Sequence, residues 1–478
     1  MKHLIPSLLC LSLATAAGFA QMPEMKHVAT NAQLTLQEPV QGQITVEICN
    51  PNSAPMSDAP VCVAIPSSSY KSATVTINGK EIPSQMDDLN GDGTKDELAF
   101  VVNIAKKGRL TAEIRFSSNE APADRYEART HAQMWFKDND KKRSYTEKQH
   151  IPTDTVSERV DNMYSKMMHH GPAFENELVA YRIYFDQKQS TDLYGKKVRQ
   201  LELADGLWYS AEIPELLSER TFGDDIILVG KTISVGTLRG WNEAADTTGF
   251  AAVKASTEKN DRRAQDPRMV MIDPFAWRQA HIVAKGPVRT IVDMNVEGWQ
   301  YQGRTLNLKS RYILYAGNRD CEIIQQFDGA AKDLEGLQDV EFVTGVMKVG
   351  SFNVDSVALA QKLYYHDAKG LCASWGKDWP DDARKLYPIM QTAALAVCVP
   401  QENVIREIES IDQFLYGVHV DDNNALRYKM AYCAATKENE MAGKPNAVVS
   451  KPWTFKSWVK WCRDWKKTQP LKLKIVQL

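Results

Sequence analysis

The segment GPVRTIVDMNVEGWQYQGRTLNLKSRYILYAGNR, residues 286–319, has the pattern of two long β-strands joined by a glycine-containing turn. β-Branched, aromatic and other apolar residues are frequent in both halves, and such residues favour a pleated, half-buried backbone. Two adjacent long strands that carry aromatic and arginine side chains predict a concave antiparallel sheet. Similar segments recur between residues 179 and 347, where little of the sequence has helical periodicity. We therefore predict a large antiparallel β assembly in this region.

The rest of the chain divides around this assembly. Residues 21–120 contain short segments rich in Val, Ile and Thr between turn residues, a spacing typical of a β-sandwich. Residues 121–160 are polar and rich in charge, which indicates a linker or a long surface loop. Residues 161–478 then form the main domain. The predicted fold class is mostly β, with a small N-terminal sandwich module followed by a larger antiparallel domain.

The first twenty residues have the features of an export signal. Lys2 supplies the positive charge, residues 4–17 form a short apolar core, and residues 18–20 include the small side chains that precede a cleavage site. The apolar core is too short to span a bilayer, and no later segment is long and apolar enough to do so. We expect a periplasmic or secreted protein without a membrane span.

Charge and cysteine usage exclude other classes of protein. The chain has 58 Lys and Arg against 60 Asp and Glu, so a strongly basic surface and a nucleic-acid partner are not expected. Outside the export signal there are seven cysteines and no CxxC pair, so no zinc site is predicted. Export permits disulfides, and we expect at most one or two, with Cys49 and Cys62 as one candidate pair. No organic cofactor is expected.

A polar loop between two predicted strands resembles the first half of a calcium-binding loop. Oxygen-bearing side chains occur at alternate positions, and Gly93 permits the sharp turn between them. The twelfth position is Ala99 rather than Glu, and strands rather than helices flank the loop, so a polar hairpin tip is the alternative. We predict a structural calcium ion, with these ligands: Asp88, Asn90, Asp92, Thr94 and Asp96.

The strongest catalytic candidate lies between residues 169 and 186. His169, His170 and Glu175 directly precede a segment with the alternation of a strand, so they would lie at the mouth of that strand. Histidine exchanges protons readily near neutral pH. Tyr181 and Arg182, within the strand, are predicted to face a cleft. We take these five residues as the candidate catalytic set, although each also has a purely structural interpretation.

Two reactions on an acidic sugar chain fit these residue types. β-Elimination needs a cation or hydrogen-bond donor for the carboxylate, a base for the C5 proton and an acid for the leaving oxygen. Hydrolysis needs two carboxyl groups across the sugar, so Glu175 would need a distant partner such as Asp224, Asp225 or Asp273. We also predict a set of substrate-binding residues that would hold the carboxylate or contact the sugar: Arg239, Trp241, Arg311, Tyr315 and Arg319.

Four tryptophans lie close together near the end of the chain, at positions 453, 458, 461 and 465. Trp458, Trp461 and Trp465 share one face of a helix, with lysines around it. A sugar-stacking platform is one interpretation. We favour the other, a terminal helix that packs its apolar face on the sheet.

Several motifs resemble known families. The Gly286-Pro287-Val288-Arg289 strand and the turn from Tyr315 to Arg319 resemble elements of the β-supersandwich of galactose-mutarotase-like proteins, a fold that many polysaccharide lyases also use. The exported start, the loop 88–97, the stretch 170–176 and the segment 192–197 together resemble a secreted bacterial family called domain of unknown function 4861. The resemblance covers most of the mature chain. It implies a supersandwich main domain and, by association and fold analogy only, a role with carbohydrates.

These observations lead to one expected function and two alternatives. We expect an exported glycoside hydrolase or polysaccharide lyase that acts on uronic-acid-containing oligosaccharides or polysaccharides, and the residues do not choose between the two reactions. The first alternative is a mutarotase-like isomerase, in which a histidine and a glutamate exchange protons with the anomeric oxygens. The second is a non-catalytic glycan-binding protein, in which exposed Trp and Tyr rings provide the affinity.

Overall fold

A computed structural model describes residues 32–36, 42–65, 69–144, 147–205, 223–255, 265–350, 363–380 and 389–477. The predicted export signal lies outside the described residues. Within the described part of the chain, no helix has the length and apolar character needed to cross a membrane. The predicted boundaries near residues 120 and 160 stay predictions.

The described residues up to Ser117 form eight strands. They are β1 (Ala32–Thr35), β2 (Gln43–Cys49), β3 (Met56–Ala64), β4 (Ser72–Ile77), β5 (Lys80–Ile82), β6 (Ser84–Asp87), β7 (Glu97–Ile104) and β8 (Arg109–Ser117). The strands that follow are β9 (Thr130–Phe136), β10 (Ile151–Thr153), β11 (Thr155–Glu158), β12 (Ala173–Asn176), β13 (Ala180–Ile183), β14 (Thr191–Gly195), β15 (Asp224–Asp225), β16 (Arg239–Trp241), β17 (Met269–Val270), β18 (Trp277–Ala284), β19 (Arg289–Tyr301), β20 (Arg304–Tyr315), β21 (Asp320–Asp328), β22 (Phe342–Met347), β23 (Leu363–Asp367), β24 (Leu371–Asp378), β25 (Gln391–Cys398), β26 (Val404–Glu409), β27 (Gln413–Val418), β28 (Ala425–Cys433) and β29 (Lys472–Gln477).

Helices are short and few in the described residues. They are α1 (Thr248–Ala255), α2 (Ala331–Leu334), α3 (Ala435–Met441) and α4 (Phe455–Lys467).

The N-terminal strands form a β-sandwich, as predicted. One sheet has the order β1-β3-β7-β6 and the other has the order β29-β2-β8-β4-β5. Along β8, every second side chain is buried, so Ala112, Ile114 and Phe116 face a shared core that also contains Val61 and Phe100. This alternation is the period of a strand with one buried face. It explains why the spacing of Val, Ile and Thr was sufficient to predict the sandwich.

The hairpin that the sequence predicts between residues 286 and 319 is the centre of the largest sheet. Strands β19 and β20 pair antiparallel over most of their length, with Asp293 opposite Arg311. Gln302 and Gly303 form the two-residue turn, and both have positive φ angles, 50° and 76°. Such turns match the twist of the flanking strands. Among the described residues, this sheet has nine strands in the order β11-β18-β19-β20-β21-β28-β25-β24-β23.

Two smaller sheets pack on one face of this nine-stranded sheet. Their orders are β10-β9-β12-β13-β14-β15 and β17-β16-β22-β27-β26. Phe174 and Tyr181 of the six-stranded sheet share a single core with Tyr312 and Tyr432 of the nine-stranded sheet. The main domain is therefore the large antiparallel β-supersandwich that was predicted, and the chain as a whole is mostly β.

The sandwich and the main domain are joined by buried ion pairs. Arg289 of β19 donates to Asp87 (2.7 Å) and to Glu97 (2.6 Å), which end β6 and begin β7. Arg311 of β20 donates to the carbonyl of Leu89 at 2.7 Å. These guanidinium groups are almost completely buried, so they fix the sandwich on the outer face of the nine-stranded sheet, the face that points away from the smaller sheets.

Helix α4 docks on the same outer face, as the preferred interpretation predicted. A capping box between Thr454 and Ser457 begins the helix. Trp458 and Cys462 are completely buried against alanines of the sheet, and Trp461 and Trp465 pack at the edge of that cluster. After α4 the chain returns to the N-terminal sandwich, where β29 pairs with β2.

The candidate pair Cys49 and Cys62 does not form a disulfide in the described residues. All seven cysteines there are free thiols, including Cys49 and Cys62. Cys62 lies instead at the domain interface, with its sulfur 3.2 Å from the hydroxyl of Tyr315. Burial raises the pKa of the Cys62 thiol well above its usual range, which is the behaviour of an unreactive core cysteine.

Candidate functional site

The six-stranded sheet has one apolar face and one polar face. Because side chains alternate along a strand, Phe174 and Tyr181 point into the core while their neighbours point to the other side. The strand register places several polar residues together on that second face, with Arg182 opposite Asp192 and Ala173 opposite Gln133. We call this surface the polar face, and its members are His131, Gln133, Glu175, Arg182, Asp192, Tyr194 and Asp225.

His169 and His170 are held beside the polar face by an unusual backbone. Both lie in the short 3₁₀-helix Met168–His170 and both have left-handed φ angles, 58° and 61°. Gly171 follows, and a Cβ atom there would lie 2.0 Å from the carbonyl oxygen of Ile183. The chain therefore needs glycine to bring the histidines against β13. Strained backbone of this kind in non-glycine residues is concentrated at functional sites.

The two histidines have different surroundings. His169 is 1% exposed, and its Nε2 lies 3.2 Å from the side-chain nitrogen of Gln133. The ring of His170 stacks on Tyr164 with 4.2 Å between centroids, and its Nδ1 is bonded to the Tyr164 carbonyl. Burial lowers the pKa of His169 well below its usual value, and the Arg182 cation adds to this effect. Burial lowers the pKa of His170 to about 4. Both rings are therefore neutral near neutral pH.

Arg182 is the centre of a buried charge cluster. Its Nε donates to Asp192 at 2.9 Å, and its Nη2 lies 3.3 Å from a carboxylate oxygen of Asp225. The hydroxyl of Tyr184 donates to the same carboxylate of Asp192. The guanidinium also lies over the ring of Tyr194, 4.8 Å from the centroid. Two carboxylates thus share one cation, which orients all of these groups firmly.

Glu175 belongs to a second charge cluster at the other end of the polar face. Its carboxylate pairs with Lys196 and accepts backbone N–H groups of Glu202 (2.8 Å) and Leu203 (2.6 Å). Glu175 and Lys196 are both almost completely inaccessible to solvent. These bonds give Glu175 the role of an anchor for the segment around residue 202.

Glu202 is a candidate that sequence reasoning missed. Its carboxyl is buried and accepts the N–H of Gly223 at 2.9 Å. Burial raises its pKa to about 7, with the neighbouring Glu175 carboxylate contributing and Lys196 opposing. A carboxyl group with such a pKa can exchange protons near neutral pH. No motif surrounds Glu202 in the sequence, because its environment comes from burial and from Glu175 on β12, 27 residues earlier in the chain.

Tyr181 does not share a surface with the other catalytic candidates. Its side chain is fully buried in the core, where the hydroxyl donates to the carbonyl of Arg319 at 3.2 Å. The strand alternation puts Tyr181 and Arg182 on opposite faces, so both cannot line one cleft. The structure brings together His169, His170 and Arg182, it places Glu175 on the same face in a separate charge cluster, and it places Tyr181 behind them.

The predicted substrate-binding residues are dispersed. Arg239 is completely buried between the sheets and donates to Ser190 (2.9 Å) and to the carbonyl of Leu238. Burial lowers its pKa to about 10. Trp241 is also buried, and its indole N–H donates to Glu243. Within the part of the chain that the structure describes, neither side chain is hydrogen-bonded to a member of the polar face.

The other three predicted binding residues lie on or beside the outer face of the nine-stranded sheet. Arg311 binds Asp293 through two bonds of 2.8 Å and supports the domain interface. The hydroxyl of Tyr315 lies 3.2 Å from Arg289. Arg319 forms a bidentate ion pair with Glu438, with distances of 2.8 and 2.9 Å. The structure therefore separates these residues from the histidines.

The calcium-like loop is tightly folded. Asp88 accepts the N–H groups of Gly91 and Gly93, and Asp96 accepts that of Leu89 at 2.6 Å. Burial raises the pKa of Asp96, and the Asp88 and Asp92 carboxylates add to the effect. No group of three or more His, Cys, Asp or Glu side chains in the described residues is arranged to hold a metal ion. Calcium binding by Asp88, Asn90, Asp92, Thr94 and Asp96 stays a prediction.

A family assignment agrees with this architecture. The family model named domain of unknown function (DUF4861) matches residues 48–446, most of the chain. The chain belongs to the DUF4861 family. The match extends from β2 of the sandwich to the segment after α3, so it includes the polar face and the domain interface. No curated protein is detectably similar to this DUF4861 chain.

Two solved structures are distantly similar to the DUF4861 chain. One is an α-mannosidase from Enterococcus faecalis V583, with a TM-score of 0.43, 7% identity, and coverage of 91% of this chain and 46% of the mannosidase. The other is a protein in glycosyl hydrolase family 38 from Enterococcus faecalis, with a TM-score of 0.42, 8% identity, and coverage of 91% and 48%. The chain spans about half the length of both. We draw no conclusion on activity from these similarities.

Proposed function

We propose that the protein is an exported carbohydrate-active enzyme that cleaves uronic-acid-containing glycans, with proton transfer at the His169 end of the polar face. The observation that supports the proposal is the burial and the protonation state of the His169 ring. It is a buried, neutral imidazole in strained backbone, beside a cluster of fixed charges. A neutral imidazole is available as a base, and a preorganised polar surrounding is what lowers the barrier for proton transfer.

β-Elimination is the reaction that this arrangement supports best. His169 accepts the C5 proton of the uronate, the C4–O4 bond breaks, and the electron pair forms the C4=C5 double bond. Tyr194, whose ring centroid lies 6.3 Å from that of His169, supplies the proton to the leaving oxygen. Lys188, whose ammonium lies 5.5 Å from the ring centroid of Tyr164, stabilises the substrate carboxylate. Tyr164 in turn stacks on His170, so this cation is close to the histidines.

Hydrolysis is the second candidate, and Glu202 is the observation that favours it. A carboxyl group with a pKa of about 7 is protonated in part at neutral pH and suits the role of general acid. Asp225, on the same polar face, is the carboxylate that would complete the pair.

Product analysis separates the two reactions. The full chain is incubated with a panel of acidic polysaccharides, and both ultraviolet absorbance of unsaturated uronate and release of reducing ends are measured. Elimination gives both signals, whereas hydrolysis gives reducing ends alone. We expect His169→Gln to lower the rate of elimination by at least about 100-fold, while Glu202→Gln abolishes hydrolysis if that reaction operates.

His366→Gln is the matched control, because His366 is half-exposed on the edge strand β23. It should retain the wild-type rate. Full turnover by both His169→Gln and Glu202→Gln would contradict the site assignment. Interconversion of sugar anomers without cleavage would identify an isomerase instead, and retention on glycan gels without turnover would identify a binding protein.

A further inference from the structure

Two adjoining cavities lie along the outer face of the nine-stranded sheet, and the larger one also reaches Leu178 and Arg199, which flank strands of the six-stranded sheet. The smaller has a volume of about 480 Å³ and lies between the sandwich, the sheet and the end of α4. The larger has a volume of about 850 Å³ and follows α4 toward its start. Asn318 and Asp320 line both. We call the pair the outer cleft, and its size falls in the range of small-molecule sites.

A row of parallel indole rings forms one wall of the outer cleft. Trp458 stacks on Trp461 at 5.1 Å, and Trp461 stacks on Trp465 at 5.4 Å. Trp458 is buried and anchors the helix, whereas Trp461 lines the larger cavity and Trp465 lines the smaller one. No other ring of the described residues stacks on Trp465. The row therefore ends with an aromatic surface that faces the smaller cavity.

The orientation of this last ring is fixed. The indole N–H of Trp465 lies 3.2 Å from a carboxylate oxygen of Asp320, which also pairs with Lys429 at 3.4 Å. A flat ring held in one orientation is the usual partner for the apolar face of a sugar, because it loses little conformational freedom on binding. The outer cleft thus has a preformed stacking surface.

Charged side chains form the floor of the smaller cavity. Strand register puts Glu322 opposite Lys429 on β21 and β28, and Arg427 follows on the same face. Glu322 and Arg427 are only 5% and 8% exposed, although both line the cavity. Their charges attract each other across the floor. Buried charged groups at the base of a cavity give a ligand directional and strong hydrogen bonds.

The outer cleft has an excess of positive charge. Seven basic and two acidic side chains line the two cavities. Glu438 and Asp367, just outside the lining, pair with Arg319 and Lys466, and basic side chains still outnumber acidic ones, which favours a ligand with negative charge. Arg199, Lys444 and Lys451 line the larger cavity, and Lys466 lines the smaller one. An acidic oligosaccharide carries carboxylates along its length, with hydroxyl groups and flat apolar faces between them. Its chemistry therefore matches the charges and the aromatic wall of the outer cleft.

We propose that the outer cleft binds an acidic oligosaccharide: Trp465 stacks on one sugar ring, Arg427 and Lys466 bind its carboxylates, and Glu322 accepts its hydroxyl groups. The residues assigned to the ligand belong to the nine-stranded sheet and α4, whereas the polar face belongs to the six-stranded sheet, so the two sets share no residue. The proposed binding site goes beyond the proposed cleavage reaction, because an oligosaccharide can bind in the outer cleft without the His169 base.

Calorimetry with the full-length chain tests the proposal. The probes are tetramers of galacturonic, glucuronic and mannuronic acid, together with the same tetramers after reduction of their carboxyl groups. We expect at least one acidic tetramer to bind, its reduced form to bind at least about tenfold more weakly, and added salt to weaken binding. Failure of all three acidic tetramers to bind, or equal binding of reduced and acidic forms, overturns the proposal.

Variants locate the binding site. Arg427→Gln and Trp465→Ala should each weaken binding about tenfold or more, a loss typical of a charged hydrogen bond or an aromatic contact. Arg463→Gln is the control, because Arg463 is exposed on α4 and lines neither cavity. Trp465→Phe replaces Trp465→Ala if the latter does not fold. Wild-type affinity in both cleft variants contradicts the proposal.

One further variant separates this proposal from the proposed function. His169→Gln should keep the affinity of the outer cleft for the acidic tetramer. Binding that persists when no turnover is found supports the outer cleft alone, and turnover without cleft binding supports the polar face alone. Loss of tetramer affinity in His169→Gln places the bound ligand at the polar face and overturns the assignment to the outer cleft.

Discussion

The polar face and the outer cleft contain similar residue types in opposite settings. On the polar face, Arg182, Glu175 and their partners are buried and bonded to one another, so each group has one position. In the outer cleft, basic residues outnumber acidic ones and Trp461 and Trp465 are partly exposed. Fixed, desolvated groups suit proton transfer, whereas an open and charged surface suits recognition of a ligand. The comparison shows that residue type alone does not distinguish a reaction site from a binding site.

The largest expected effect tests whether the polar face depends on buried charge pairs. Lys196→Met leaves Glu175 in the interior without its cation, so we expect the free energy of unfolding to fall by about 3–5 kcal/mol. Lys460→Met is the control, since Lys460 pairs with Asp464 on the surface of α4. Urea unfolding measures both variants. A similarly small loss of unfolding free energy in both variants would mean that the buried pair of Lys196 and Glu175 does not hold the polar face in place.

The second effect tests the raised pKa of Glu202. The folded pKa of about 7 lies above the unfolded value, so the folded protein holds a proton that the unfolded chain releases between about pH 4.3 and pH 7. The stability that protonated Glu202 gives to the folded protein is therefore present at acid pH and is lost as the pH rises through 7. Glu202→Gln removes the titration.

Relative to Glu202→Gln, the wild type should lose about 2–3 kcal/mol of stability between pH 5 and pH 7.5. Unfolding curves at the two pH values measure this difference. An unchanged difference between variant and wild type would show that Glu202 is an ordinary carboxylate, and hydrolysis would lose its candidate acid.

The third effect has the opposite sign and concerns His170. Its folded pKa of about 4 lies below the unfolded value, so the unfolded chain binds a proton that the folded protein does not. Stability from this group is complete above about pH 6.5 and is lost as the pH falls toward 4. Asn tolerates the left-handed backbone at this position, so His170→Asn removes the titration without new strain.

Between pH 7 and pH 5, the wild type should lose about 1–2 kcal/mol relative to His170→Asn. Unfolding curves of the wild type and His170→Asn at the two pH values measure this loss of stability. A gain of wild-type stability on acidification, relative to the variant, would mean that the ring is charged in the folded protein.

The smallest effect concerns the calcium-like loop, which contacts the outer face through Leu89 and Arg311. If the loop binds calcium, a concentration fivefold above the dissociation constant should stabilise the protein by about 1 kcal/mol. Calorimetry should show that Asp88→Ala and Asp92→Ala weaken binding. Unchanged calcium binding in both variants would exclude the predicted ligands.

The local sequence pattern was sufficient to predict most of the fold. The hairpin around Gly303, the sandwich and the docked helix α4 follow from alternation, turn residues and helical spacing, all of which act between residues close in the chain. The site was predictable only in part. His169, His170 and Arg182 lie together, because the 3₁₀-helix that holds the histidines leads into β12 and packs against β13, whereas Glu175 lies on the same face in a separate charge cluster.

The positions of other site residues could not be predicted from the sequence pattern. Adjacent residues of a strand face opposite sides, so the prediction that Tyr181 and Arg182 both face a cleft was wrong, and only the tertiary structure shows that Tyr181 packs on the nine-stranded sheet. Glu202 has no distinctive neighbours in the sequence, and its raised pKa comes from burial beside Glu175. The two interpretations of the tryptophans also proved compatible, since Trp458 anchors α4 while Trp465 lines the outer cleft.

The sequence by itself determined where strands and turns form in the hairpin and the sandwich, because side-chain periodicity and turn chemistry are local properties. Only the tertiary structure decided the partners of the buried charges. Arg289 pairs with Asp87 and Glu97 across the domain interface, about two hundred residues away in the chain. A buried charge is stable only beside a partner, but long-range packing selects which residue that partner is. For this reason, Arg289 and Arg311 serve the interface of the two domains rather than the polar face.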